Sequence, residues 1–191
     1  MNYLTNAGNY LLDIIFSIYI YSLLLRVLLQ MCRADFRNPY CGLIAQITDP
    51  LVRPMRRIIP GLLGIDLATV VILVAVMYLK SICFMLLNYN IMSPLAPFIL
   101  TLPAMLLDMI ISTISVAIFA KIILGFILMP RANHNPAYEI ASYLTEPLLS
   151  RCRNFLPNLA GLDLSPMLAI ALLQLSKMLI VAPLVDFARG I

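Results

Sequence analysis

The sequence predicts an all-α membrane protein of four transmembrane helices, made from two tandem parallel repeats. Three observations lead there. Hydrophobic residues fill 62% of the 191 positions and charged residues only 12%, whereas a soluble domain carries roughly 25% charge. Four apolar stretches each supply the roughly 20 residues a helix needs to cross about 30 Å of hydrocarbon. The chain also repeats itself. Moved along by 97 residues, Asn38-Pro39 falls on Asn135-Pro136 and Thr48-Asp49-Pro50-Leu51 on Thr145-Glu146-Pro147-Leu148. On the same offset Arg56 meets Arg153, Gly64-Ile65-Asp66-Leu67 meets Gly161-Leu162-Asp163-Leu164, and Lys80 meets Lys177. A repeat this long marks two copies of one supersecondary unit.

The first copy is expected over residues 1–90, with spans at 9–31 and 65–87. A periplasmic link follows at 91–101, and the second copy, with spans at 102–129 and 165–187, fills 102–191. No cleavable signal peptide is expected, because the first ten residues carry no Lys or Arg.

Charge sets the orientation. Arg33, Arg37, Arg53, Arg56 and Arg57 lie between the first two spans, and Arg131, Arg151 and Arg153 between the last two. The stretch from Asn88 to Thr101 has no charge. Lys and Arg concentrate in cytoplasmic loops, so both basic links belong in the cytoplasm and both termini in the periplasm of a bacterial inner membrane. Each copy then runs out, in and out again. Two such copies are parallel, related by an axis near the membrane normal.

The basic links read as helices rather than loops. Asn38-Pro39 and Asn135-Pro136 are helix starts: Asn caps free backbone N–H groups, and Pro fits a first turn where its missing N–H costs nothing. Asp49-Pro50 and Glu146-Pro147 repeat the signal, with an acid near the positive helix end. After Pro50, Leu51, Val52, Met55, Ile58 and Ile59 share one face, with Arg53, Arg56 and Arg57 opposite. In the second copy Leu148, Leu149, Cys152, Phe155 and Leu156 oppose Arg151 and Arg153. Such amphipathic segments are expected to lie in the cytoplasmic headgroup layer, apolar side down, with the arginines near anionic lipid. Anchoring is the plain reading. A docking platform for a cytoplasmic partner, or a lipid sensor, is the sharper one. Gly64 and Gly161 are placed to end these helices, and Asp66 and Asp163 to cap the next spans, with Pro166 in a first turn.

Ionisable residues inside spans are costly and usually paired. Here they recur. Asp13 and Arg26 in span one match Asp108 and Lys121 in span three, each pair 13 residues apart. Ser17 and Ser112 follow the aspartates by four residues. Spans two and four carry Lys80 and Lys177, 14 residues beyond Asp66 and Asp163. In an antiparallel hairpin Asp13 and Lys80 share an outer depth, and Arg26 and Asp66 an inner one. The second copy offers Asp108 with Lys177 and Lys121 with Asp163. Pairing between copies, such as Asp13 with Lys177, satisfies depth equally well. Arg26 and Lys121 also have the length to snorkel to cytoplasmic headgroups. These charges either hold helices together or mark an ion or proton path. The sparse polar lining favours the first.

No nucleophile–base set, phosphate loop or nucleic-acid motif is present, so no catalytic, cofactor or metal residue is assigned. Cys32, Cys41, Cys83 and Cys152 form no CxxC and do not repeat at the shared offset, which speaks against a disulfide framework or zinc site. His134 falls opposite Arg37 and is not a repeated ligand. The expected partners are anionic membrane lipids, with no nucleic acid. A membrane-protein partner and a second copy of the chain both stay open.

The segments Arg33-Ala34-Asp35, Asn38-Pro39, the run from Thr48 through Pro60, and Gly161-Leu162-Asp163-Leu164-Ser165-Pro166 resemble the YggT family, also called YlmG. The likeness covers essentially the whole chain. The second copy departs from it: Ser150 and Arg151 stand where the first has Arg53 and Pro54, and Asn154 where it has Arg57. The resemblance implies a non-enzymatic scaffold or assembly role in envelope homeostasis. Family members are linked to osmotic or potassium stress, division, and cytochrome assembly in plastids. An ion or solute channel is the alternative.

Overall fold

A computed structural model describes residues 3–59, 61, 66–87, 95–128, 135–155 and 163–189. Gly64, Pro60, Arg131, His134, Leu156, Pro157 and Gly161 lie outside the described residues. Every regular element among the described residues is helical: α1 (Tyr3–Met31), α2 (Pro39–Arg56), α3 (Leu67–Leu87), α4 (Leu95–Ile127), α5 (Pro136–Phe155), α6 (Ser165–Ser176) and α7 (Ala182–Arg189). A π-helical turn, Lys177–Val181, joins α6 to α7. Four stretches are long and apolar enough to cross a membrane: Thr5–Met31, Leu67–Leu87, Phe98–Ile127 and Ser165–Phe187. The first and third begin a few residues earlier than the sequence pattern suggests.

The links differ more. The expectation that Asp49-Pro50 opens a fresh helix is replaced by one helix running from Pro39 through Pro50 and Pro54, and α5 likewise runs through Pro147. A mid-helix proline removes one backbone donor. Nearby, fully buried Thr48 and Thr145 turn their hydroxyls back onto the Ile44 and Ala141 carbonyls, each at 2.7 Å. Such back-bonding accommodates a bend. The true starts are the asparagines. The side-chain carbonyl of Asn38 accepts the Tyr40 N–H at 3.1 Å, and that of Asn135 accepts the Ala137 N–H at 2.9 Å.

The π turn has a local cause. Pro183 has no N–H to give, and its ring collides with a carbonyl one turn back. The helix answers by widening: the Ala182 N–H reaches the Lys177 carbonyl, five residues back. Insertions of this kind are found where a helical ladder is interrupted.

Contacts divide the chain into two compact units, residues 1–31 with 41–100, and residues 32–40 with 101–191. In the first unit α1 packs on α3. Leu23 and Leu29 of α1, Val52 of α2 and Ala68 of α3 are fully buried there. The second unit centres on Ile118, Leu149, Cys152 and Ala169, from α4, α5 and α6. A smaller cluster joins Ala104 and Ile111 of α4 to Val181 in the π turn. Segment 32–40 belongs to this unit, where the Asn38 amide donates to the Pro136 carbonyl and the Glu139 carboxylate, both at 2.9 Å.

Candidate functional site

The membrane-depth charges meet inside each unit. In the first, the Lys80 ammonium lies 2.7 Å from the Asp13 carboxylate and donates to the Ser17 hydroxyl at 3.0 Å. The second unit places Lys177 2.8 Å from Asp108 and 3.3 Å from Ser112. The serine one turn beyond each aspartate thus gives each ammonium a second oxygen. Each lysine therefore ties two helices of its unit through an acid and a serine on the partner helix.

The inner charges take other partners than depth-matching between spans suggests. Arg26 pairs with Asp49 at 2.9 Å, not with Asp66, and also donates to the Thr48 hydroxyl and, at 3.4 Å, to the Ala45 carbonyl. Its side chain is only 5% exposed, that of Asp49 20%. Lys121 likewise goes to Glu146 at 2.6 Å instead of Asp163. The acids that head the Asp-Pro and Glu-Pro steps therefore anchor α2 and α5 to the C-terminal parts of α1 and α4. Asp66 and Asp163 receive arginines of the preceding link instead: Arg56 on Asp66 and, at 3.2 Å, Arg153 on Asp163. Each such pair is ten residues apart in sequence, and the contact ties the linking helix to the start of the next span. Asp66 also accepts the Thr69 hydroxyl at 2.6 Å, and Asp163 accepts the Ser165 N–H at 2.9 Å from one residue ahead of Leu164, the N-cap position of α6, which carries no side-chain cap.

The arginines read as lipid-facing are thus divided. Arg56 and Arg153 turn onto acids of their own unit. Arg53 reaches Asp49 at 2.9 Å with its side chain 77% exposed. Arg57 and Arg151 are exposed. Where the second copy has Ser150 in place of Arg53, Arg153 covers both duties, binding Glu146 as well as Asp163. The two copies reach the same neutralisation by different wiring.

These contacts hold the link carboxyls below their ordinary range. Burial pushes Asp49 up, but the hydrogen bond and charge of Arg26, helped by Arg53, outweigh it. Asp66 is likewise raised by burial and lowered further by Arg56 and Thr69. For Glu146 the Lys121 hydrogen bond is the largest influence and the net shift is down, with Arg153 adding to it. Asp163 is raised by burial and brought down by Ser165 and then Arg153.

Among the described residues no group of three or more His, Cys, Asp or Glu is placed to hold a metal ion. None of the four cysteines forms a disulfide. Cys32, Glu139, Tyr143 and Glu146 edge an open groove in the second unit. Its two acids are already engaged, Glu139 by Asn38 and Tyr143, Glu146 by Lys121 and Arg153. The sequence pattern missed Asp49 and Glu146 as ion-pair partners. The signal was present: an acid stands before a proline at the same place in both copies, Asp49 in the first and Glu146 in the second, where a capping role accounts for it.

Four apolar helices with their charges tied pairwise define a multi-pass helical membrane protein. A family model described as CCB3/YggT matches residues 5–87 and again 100–184, and the chain belongs to that family. Similar proteins include the uncharacterised PA0392 of Pseudomonas aeruginosa, 36% identical over 93% of this chain and 90% of its own length. An uncharacterised protein of Vibrio alginolyticus is 32% identical, covering 91% of this chain and 93% of its own. The uncharacterised protein YggT of Escherichia coli K12 is 28% identical over 91% of this chain and 88% of its own. No solved structure matches.

Proposed function

We propose that the chain is a non-enzymatic scaffold of the bacterial inner membrane, with a role in assembly or envelope homeostasis such as osmotic stress, division or membrane-complex assembly. It comprises two tandem parallel hairpins, with α2 and α5 as amphipathic helices in the cytoplasmic headgroup layer and both termini in the periplasm. The observation that carries this reading is how the span charges are used. Asp13, Arg26, Lys80, Asp108, Lys121 and Lys177 each meet an opposite charge of their own unit. Charges engaged in this way hold helices together, whereas a conduction path needs a continuous polar lining with weakly held sites. The double match of the family model supports the two-copy architecture. Exposed Arg53, Arg57 and Arg151 are available to anionic headgroups, each cation contributing on the order of 1 kcal/mol.

Reconstitution into liposomes tests the reading. Purified protein is expected to give no potassium or sodium flux above empty vesicles. A selective flux abolished by Asp108→Asn would overturn the scaffold and establish the channel. Crosslinking in native membranes is expected to capture a defined membrane-protein neighbour.

A further inference from the structure

The Asp13–Lys80 pair is incompletely enclosed. The Asp13 side chain is 54% exposed and that of Lys80 24%, although Asp13 lies eight residues inside the span that starts at Thr5. Eight residues of helical rise is about 12 Å. A lysine stem can reach from there toward the headgroups, but an aspartate is too short to do so. A carboxylate facing hydrocarbon is costly, so such groups face protein or water. Asp13 also borders an exposed stripe of α1 formed by Tyr10, Ile14, Ile18 and Tyr21. At spacings of four, four and three these residues share one helical face.

We propose that this face binds a second copy of the chain, resting on the scaffold reading above, and that Asp13 of each copy lies opposite Lys80 of the other. Charge complementarity selects the occupant. Two copies inserted with the same topology can be related by a two-fold axis along the membrane normal, which leaves every residue at its own depth. An acid and a base already side by side at one depth then oppose a base and an acid. That self-complementary arrangement is what a two-fold interface requires. The stripe supplies apolar packing around a closed ring of four charges, and each carboxylate gains a second ammonium in place of hydrocarbon.

Two experiments on the full chain in native membranes test this. In the first, Ile14→Cys is placed in a chain whose four native cysteines are changed to Ala, and the membranes are oxidised. A disulfide-linked dimer is expected, about tenfold above that from Val116→Cys, a scale set by one interhelical polar contact. In the second, native cysteines are kept and two differently tagged variants, Asp13→Lys and Lys80→Asp, are expressed alone and together. Each alone sets like charges across the two-fold axis. Together they restore opposite charges at both crossings, so the mixed pair is expected to copurify about tenfold better than either variant with itself. This holds even if each alone accumulates poorly. No dimer at Ile14→Cys, a different protein captured there, or a mixed pair no better than the self-pairs would each overturn the proposal. An unchanged scaffold result from the liposomes would leave the reading it rests on standing.

Discussion

Arg26 shows how much a single side chain can demand. It is 5% exposed and its charge is matched by Asp49 at 2.9 Å. Removing one partner of a buried pair strands the other, typically at about 3–5 kcal/mol. Asp49→Ala should therefore destabilise by about 3 kcal/mol, while Arg26→Met with Asp49→Leu should recover most of that. Thermal unfolding in detergent of the single and double variants checks it, and equal losses in both would contradict the pair. The same carboxyls set an acid limit. Asp49, Asp66, Glu146 and Asp163 titrate below their unfolded values, which lie near 3.9 for Asp and 4.3 for Glu. As pH falls the unfolded chain binds protons first, so the stabilisation is complete above those values and is lost as pH drops through the lower folded ones. Unfolding temperature should be flat between about pH 7 and 5 and fall below about pH 4.

At the scale of elements, the linking helices are where sequence and structure part. Apolar runs place all four spans to within a few residues, because about 20 apolar residues have few other fates. Pro50 and Pro147 read as fresh helix starts because proline favours a first turn. Here each lies inside a longer helix, and what reverses the sequence pattern is tertiary: Thr48 and Thr145 are buried, and Asp49 and Glu146 are held by cations of the adjacent spans. Depth-matching between spans assigned Arg26 to Asp66 because it ignored acids on the linking helix, which the fold brings closer. The sequence pattern missed the π turn beside Lys177 in the last span; Pro183, which follows it and lacks an N–H, is its local cause. The unequal wiring of the copies gives a prediction. Arg153 ties two acids, whereas Arg53 is largely exposed on an acid that already holds Arg26. Arg53→Ala should change stability by less than about 1 kcal/mol. Arg153→Ala should cost about 1.5–3 kcal/mol, the scale of hydrogen bonds to charged groups. Ser150→Arg should restore part of that loss, by returning a second cation to Glu146 but none to Asp163. Denaturation of the four proteins side by side decides it.

For the whole molecule, the 97-residue sequence repeat and the two matches of the family model support the proposal of one plan used twice. The outer pairs Asp13–Lys80 and Asp108–Lys177 follow that plan with the same residue types and a serine in the same relation to each. Their existence was legible from depth alone; that each closes within its own unit was not, because pairing across copies satisfies depth equally. Orientation remains a matter of charge: a periplasm-active reporter should work when fused after Ile191 and fail within 53–57, since cations favour the cytoplasmic side. The most direct measurement is a double-mutant cycle on Asp108 and Lys177, using Asp108→Asn, Lys177→Met and both together, read by thermal unfolding in detergent. If the pair holds the second unit together, the double variant will be more stable than the sum of the single losses implies, with a coupling of about 1 kcal/mol or more. Strictly additive losses would show that the two charges stand at 2.8 Å without holding anything together.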